Sequence, residues 1–197
     1  MSGHYDVRSF VYVMTSIMKT MNMLERIETE RLVLRKLRVD DAPVLFIAYM
    51  QDPEVTRYTT WRPHQQLQEA EDFVRSSISA WENGTRFPFV ITLKENDEPF
   101  RMIDLHVKSH IVGLGYVIAR SHQHKGYATE ATRAIINWAF QQPKIYRVNA
   151  STDFENIASQ RVLEKAGMLR EGLLRKYIVH PNISDIPRDS YIYAITK

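Results

Sequence analysis

The residues best placed to do chemistry lie together at 123–129, Gln123-His124-Lys125-Gly126-Tyr127-Ala128-Thr129, where an apolar run ends and a helical pattern begins. The run Val112 to Ala119 is short and rich in Val, Ile and Tyr, the composition of a core strand. Past the turn, Ala128, Ala131, Ile135 and Trp138 recur at helical spacing and share one face. A helix opening here turns unpaired N–H groups and the positive end of its dipole outward, which suits a phosphate or pyrophosphate, and Gly126 lets the backbone come close to it. A glycine at a strand-to-helix junction is also a common structural turn that binds nothing, so the turn alone leaves both readings open. Gly113 and Gly115 fall on one face of the strand and point to a bulge or to close approach by another group.

Other chemistries find less support. His106, His110, His122 and His124 fall within nineteen residues, but on different predicted strands and turns, with no H-E-x-x-H spacing and no cysteine, so no metal is expected. Gly113-x-Gly115 sits inside a strand and lacks the third glycine of a dinucleotide fingerprint. No Gly-Lys-Ser/Thr follows the Gly126 turn, which removes a P-loop.

Gln123-x-x-Gly126-x-Ala128 resembles the Q/R-x-x-G-x-G/A signature of the GNAT superfamily of acetyl-CoA-dependent N-acetyltransferases, with Gly115-Tyr116-x-Ile118 ahead of it and Lys125-Gly126-Tyr127-Ala128-Thr129-Glu130-Ala131 across it. Downstream, the stretch from Asn156 through Ser159, Val162 and Gly167 to Met168 resembles the N-x-x-S-x-x-V-x-E-K-x-G-F helix of the ribosomal-protein-alanine (RimJ/RimL-like) branch. Glu171-Gly172-x-x-Arg175 is similar to that helix's continuation, and Glu28-Thr29-Glu30-Arg31-Leu32-x-Leu34-Arg35 to the branch's opening strand. The resemblance spans residues 26–197.

It implies acetyl-CoA as co-substrate and a primary amine as acceptor, foremost a protein N-terminal α-amine. The same branch includes enzymes of small amines such as spermidine and aminoglycosides, and a non-catalytic acyl-CoA-binding module is the alternative outside catalysis. By the resemblance, Tyr116, Val117 and Ile118 offer backbone groups to the pantetheine arm, and a backbone N–H near Val117 or Ile118 stabilises the oxyanion formed from the thioester carbonyl. Gln123, His124, Lys125, Gly126, Tyr127, Ala128 and Thr129 hold the pyrophosphate. Ser159 protonates the departing thiolate, and Asn156 contacts the cofactor or caps its helix. Tyr58 and Trp61 border the acceptor pocket, with packing as their bland alternative. Two departures stand out: Leu163 occupies the position where many members carry a tyrosine acid, and Ser151 the strand position that often holds a glutamate base. No carboxylate base is identified, and His180, Glu171 and Asp189 are conceivable only through water.

The rest of the chain must position these groups. With 197 residues, 44% hydrophobic and 25% charged, it suits a single domain with a substantial core. Twenty-six basic against 23 acidic residues make a weak, scattered surplus that does not form a nucleic-acid track. No apolar stretch approaches the ~20 residues of a membrane helix, and the lack of cysteine accords with a cytoplasmic protein. A monomer or homodimer is expected. Residues 1–25 are read as an N-terminal extension to a single domain over 26–197. Arg31 to Leu37 alternates as a half-buried strand; helices follow from Asp40-Asp41 to Met50 and from Gln66 to Trp81, the latter ended by Asn83-Gly84. Strands are expected over Phe87–Leu93, Phe100–Val107, Val112–Ala119, Tyr146–Ser151, Met168–Val179 and Tyr191–Ile195, with a helix over Ile157–Ala166. A strand-helix-strand crossover between 111 and 151 makes one parallel pair. The expected fold is therefore mixed α/β and GNAT-like: a mostly antiparallel central sheet with one parallel pair, flanked by helices.

Overall fold

The computed structural model describes residues 25–197, so the extension expected over 1–25 lies outside the described residues except for Glu25. Eight strands form one sheet: β1 (Arg26–Glu28), β2 (Leu32–Lys36), β3 (Phe87–Leu93), β4 (Arg101–Lys108), β5 (Ile111–Ile118), β6 (Arg147–Asp153), β7 (Leu169–His180) and β8 (Ser184–Thr196), in the order β1-β2-β3-β4-β5-β6-β8-β7. Among the described residues four α-helices accompany them, α1 (Ala42–Leu45), α2 (Leu67–Glu82), α3 (Tyr127–Gln141) and α4 (Ile157–Lys165). Among the described strands only β5 and β6 pair in parallel, because α3 returns the chain to the end of the sheet from which β5 started. The mixed α/β architecture is the one expected.

Local chemistry explains where several elements begin and end. The Glu69 carboxylate reaches back to accept from the Gln66 N–H at 2.9 Å and opens α2, and Gly84, at φ 67°, takes the left-handed turn that ends it. The helix expected from Asp40 to Met50 forms in pieces: a 3₁₀ turn over Val39–Asp41, then α1, then a wide π turn over Phe46–Met50. Asp41 is buried there in a bidentate pair with Arg35, at 2.8 and 2.9 Å, while Arg35 Nε also reaches Asp97 at 2.7 Å. That network ties β2 to the first helical segment and to the β3–β4 connection. Strand β8 begins seven residues before the Tyr191 expected, because Asp185, Pro187 and Arg188 break the alternation that a strand reading looks for. Its long hairpin with β7 is kinked by register shifts at Leu174 and Ile178, and Asp189 Oδ1 accepts from the N–H of Lys176 at 2.9 Å inside that kink.

The core lies on both faces of the central strands. Leu32, Leu34, Phe89, Ile91, Ile103, Leu105 and Val112 are fully buried, as are Ala131, Ile135 and Ala139 of α3. Each large side chain so buried contributes roughly 1.5–3 kcal/mol. The feature that matters for function is a fault in this sheet. The β5–β6 ladder holds only from Ile111/Arg147 to Gly113/Asn149. Past that point β5 stays with β4 as far as Ile118, and β6 stays with β8 as far as Asp153. The two strands therefore splay, and the edge of β5 beyond Gly113 is left without a strand partner in the middle of the sheet. Gly113 is the close approach: a Cβ there would come within 3.4 Å of Asn149 Oδ1. The β4–β5 register runs unbroken past both glycines, so neither makes a bulge in that ladder.

Candidate active site

The turn between β5 and α3 is built as its residue types suggest. Gly126, at φ 80°, takes the left-handed conformation at the N-cap of α3 with no side chain capping it, and the first intrahelical bond runs from the N–H of Glu130 to the carbonyl of Gly126 at 3.1 Å. The N–H groups of Tyr127, Ala128 and Thr129 thus precede the helical ladder. His124, Lys125 and Gly126 are exposed and Ala128 is buried. Arg31 braces the turn from behind: it donates to the carbonyl of Lys125 at 3.2 Å, pairs with Glu130 at 2.6 Å and lies 4.7 Å from the centre of the Tyr127 ring. A Cβ on Gly126 would meet only the Arg31 guanidinium, at 3.5 Å, so the approach to the turn is otherwise open.

The splay opens into a cavity of about 390 Å³. Tyr58, Trp61, Tyr116, Val117, Asn156 and Ser159 all line it. The turn residues 123–129 are not among the lining residues; they sit beyond the far end of β5. Trp61 packs between cavity and core, its ring 5.2 Å from His64 and 6.4 Å from Phe73, so lining and packing coexist in one side chain. Tyr58 meets the His180 ring edge-on at 6.2 Å.

Asn156 is the N-cap of α4, its Oδ1 accepting from the N–H of Ser159 at 3.1 Å. The cap orients the first turn of α4 toward β5. There the Ser159 hydroxyl lies 3.1 Å from the hydroxyl of Tyr116, which also donates to the Ser159 carbonyl at 3.2 Å. Burial pushes the Tyr116 phenol above its ordinary range, against the opposing pull of Ser159 and Arg101, so it keeps its proton at neutral pH. Under the same ring lies Arg101, fully buried with its guanidinium carbon 4.6 Å from the ring centre. Burial lowers the Arg101 pKa to about 10, and its three guanidinium nitrogens find no hydrogen-bond partner among the described residues. A phenol thus reaches Ser159 from β5, although the α4 position expected to hold a tyrosine is Leu163, buried against the core.

Carboxylates are present in the cavity after all. Asp153, at the end of β6, has a fully buried side chain. Burial pushes its pKa up, but the hydrogen bonds from Arg188, at 2.7 and 3.1 Å, outweigh that and hold it below the usual range. Asp104 of β4 is the second. Its pair across the β4–β5 ladder is Gly115, above which no atom lies within 4 Å of a Cβ position. Arg86 Nε stands 2.8 Å and His106 Nε2 3.7 Å from Asp104 Oδ2, while Oδ1 is buried without a hydrogen-bond partner among the described residues. Burial raises the Asp104 pKa, with Arg86 and His106 pulling the other way. The sequence carried a signal for Asp104, a lone carboxylate among the apolar residues of β4, but not that β5 would set a glycine opposite it.

Of the three groups conceivable through water, none lines the cavity itself, but His180 stands directly behind the wall made by Tyr58, Thr59 and Asp153. His180 is buried, with Nδ1 3.3 Å from the carbonyl of Thr59 and Nε2 3.7 Å from Asp153. Glu171 pairs with Arg147, and Asp189 accepts from the β7 backbone. The four histidines disperse: His106 and His110 are exposed at the β4–β5 end, His122 stacks on Phe100 at 4.1 Å, and His124 projects from the turn. Among the described residues, no group of three or more His, Asp or Glu side chains gathers in a way that could hold a metal. No described helix is long and apolar enough to cross a membrane.

Residues 31–169 match the family model described as the acetyltransferase (GNAT) domain. The uncharacterized N-acetyltransferase p20 of Bacillus licheniformis is 35% identical over 159 residues, covering 78% of this chain and 88% of that protein. A GNAT-family acetyltransferase crystal structure from Bacillus anthracis superposes with a TM-score of 0.76 at 30% identity, covering 87% of this chain and 98% of the other. RimL, the ribosomal L7/L12 α-N-protein acetyltransferase in complex with coenzyme A, shares the fold at a TM-score of 0.77 and 18% identity, over 87% of this chain and 98% of its own. An open helix N-terminus, a splayed parallel pair and these matches converge on one conclusion: the chain belongs to the GNAT family and is an acetyl-CoA-dependent N-acetyltransferase.

Proposed function

We propose that the acceptor is the α-amine of a protein N-terminus. The observation that carries this reading is the charge of the cavity wall. Its carboxylates are each matched by a cation, Asp153 by Arg188 at 2.7 Å and Asp104 by Arg86 at 2.8 Å. A polyamine or aminoglycoside brings several positive charges and calls for surplus carboxylates, whereas a peptide N-terminus brings one ammonium followed by neutral amides. Proton cost favours the same class. Neutralising an α-amine with a pKa near 7.7–8.0 at pH 7 costs about 1 kcal/mol, against about 4.6 kcal/mol for a lysine near 10.4. RimL, whose name states α-N-protein acetylation, offers a fold precedent and no more.

In this reading the bound acetyl-CoA supplies an activated thioester, and the chain's residues bind and steer it. The exposed turn Gln123 to Gly126 and the first N–H groups of α3, from Tyr127, Ala128 and Thr129, hold the pyrophosphate. The edge of β5 over Tyr116, Val117 and Ile118, which has no strand partner on the β6 side, would hold the pantetheine arm as a missing strand would be held, and a backbone N–H there would be available to the thioester oxygen. Asn156 fixes the start of α4 and borders the arm. Ser159, hydrogen-bonded to Tyr116, hands a proton to the departing sulfur. Tyr58 and Trp61 flank the acceptor on the opposite wall. The test is a peptide with one free N-terminus and one internal lysine, reacted beside spermidine and mapped by mass spectrometry. Acetate mainly on the N-terminal nitrogen is expected; acetate mainly on lysine, or faster turnover of spermidine, would overturn the assignment.

A further inference from the structure

We propose that Asp104 is the group that binds the acceptor's ammonium and takes its proton. The inference deepens the transferase reading above and rests on it. Three observations point there. Asp104 is a carboxylate on the cavity wall with one oxygen, Oδ1, buried and without a hydrogen-bond partner among the described residues. The residue across the ladder is Gly115, so no side chain fills the space over β5 beside that carboxylate. Gly115 is also one residue from Tyr116 and two from Val117, which places Asp104 level with the stretch of β5 where the sheet is open. A carboxylate left short of a donor is a ready acceptor for N⁺–H, and such charge-assisted bonds are about twice as strong as neutral ones.

The proton inventory closes without any further reagent. The ammonium gives one proton to Asp104, and the nitrogen lone pair forms the C–N bond to the acetyl carbon. The cationic nitrogen of the resulting adduct loses its second proton to water, the C–S bond breaks as the sulfur receives a proton from Ser159 and Tyr116, and that pair is reprotonated by the proton the nitrogen has just given up. Asp104 then releases its proton to solvent, so one proton leaves per turnover. The charged and titratable groups facing Asp104 are Arg86 at 2.8 Å and His106 at 3.7 Å; the other carboxylate on the cavity wall, Asp153, is held by Arg188. Burial raises the Asp104 pKa, which makes it a better proton acceptor, and Arg86 and His106 limit that rise.

The experiment compares wild type with Asp104→Asn, using acetyl-CoA and two otherwise identical peptides, one with an N-terminal alanine and one with an N-terminal aminooxyacetyl group that is already neutral at pH 7. For the alanine peptide kcat/KM is expected to fall about 100-fold or more at pH 7, with the deficit shrinking as pH rises through the amine's own titration. For the aminooxy peptide it is expected to fall less than about fivefold. Equal losses on both peptides, or none on either, would overturn the proposal while wild-type turnover keeps the transferase reading intact; a wild type that acetylates neither peptide defeats the acceptor reading and this inference with it. Arg86→Leu provides a second test independent of that variant. Removing the cation should move the acid limb of kcat/KM to higher pH and leave the alkaline plateau within about threefold of wild type. A loss equal to that of Asp104→Asn at every pH would mean that the two residues form a structural ion pair, and the proposal fails.

Discussion

Ser159→Ala is the perturbation whose size can be worked from the geometry. The departing sulfur is an alkyl thiol with a pKa near the cysteine value of about 8.5. Leaving as a bare thiolate at pH 7, about 1.5 units below that value, costs about 2 kcal/mol at about 1.36 kcal/mol per unit, a ceiling of about 30-fold in rate. Because the Ser159 hydroxyl sits 3.1 Å from a phenol that burial keeps protonated, the pair can supply that proton. Ser159→Ala should therefore lower kcat by about 10- to 30-fold at pH 7, and the deficit should close as the pH passes about 8.5. Tyr116→Phe keeps the ring over Arg101 and removes the hydrogen bonds to the Ser159 hydroxyl and carbonyl; the loss of the one to the hydroxyl that bears on proton transfer is about 1 kcal/mol or about fivefold. The double variant should be no slower than Ser159→Ala, since residues acting as a unit do not add. The assay is thiol release under saturating acetyl-CoA and peptide from pH 6.5 to about 9, with acetyl-CoA affinity followed by thermal shift and expected to change less than about twofold. An unchanged kcat in Ser159→Ala, or a deficit equally large at both ends of the pH range, would refute the acid role and leave Ser159 as part of a helix cap.

Gly126→Glu should abolish the stabilisation that acetyl-CoA gives, about 2.7 kcal/mol at 100 times its dissociation constant, because it sets an anion at the pyrophosphate turn. The ligand-free protein should lose only about 1–2 kcal/mol from the strained φ of 80°, as read by urea unfolding; retained thermal shift in the variant would remove the turn from the cofactor site. Arg188→Met strips the partner from the fully buried Asp153 and should cost about 3–5 kcal/mol, a loss under about 1 kcal/mol in urea unfolding being the contrary result. The wild-type Asp153 has a folded pKa below its unfolded one, so its contribution is present above the ordinary carboxylate range and lost as pH falls through the folded value. In Arg188→Met that folded value rises, and acid unfolding should begin at higher pH.

Much of this molecule was legible from local pattern, and the parts that were not share one cause. The apolar run, Gly126 and the 3.6-residue period after it set β5, the left-handed turn and α3 by short-range sterics and burial alone. Asn156 declares its cap because the cap lies within one helical turn of it. The single parallel pair follows from a crossover helix between two strands. Strand β8 was only partly readable, since its first half is held by pairing with β7 and runs against its own Pro and charged residues. The chemistry of the cavity depends on contacts between residues far apart in the chain. Tyr116 finds Ser159 43 residues away, and Asp104 faces Gly115 only because the β4–β5 register sets those two opposite each other. Alternation in a sequence says which side of a strand a residue takes; it does not say which strand lies next to it or where the pairing stops. That stop, just past Gly113 and Asn149, is decided by β6 following β8 rather than β5, and it alone turns a continuous sheet into one with an open edge and a cavity.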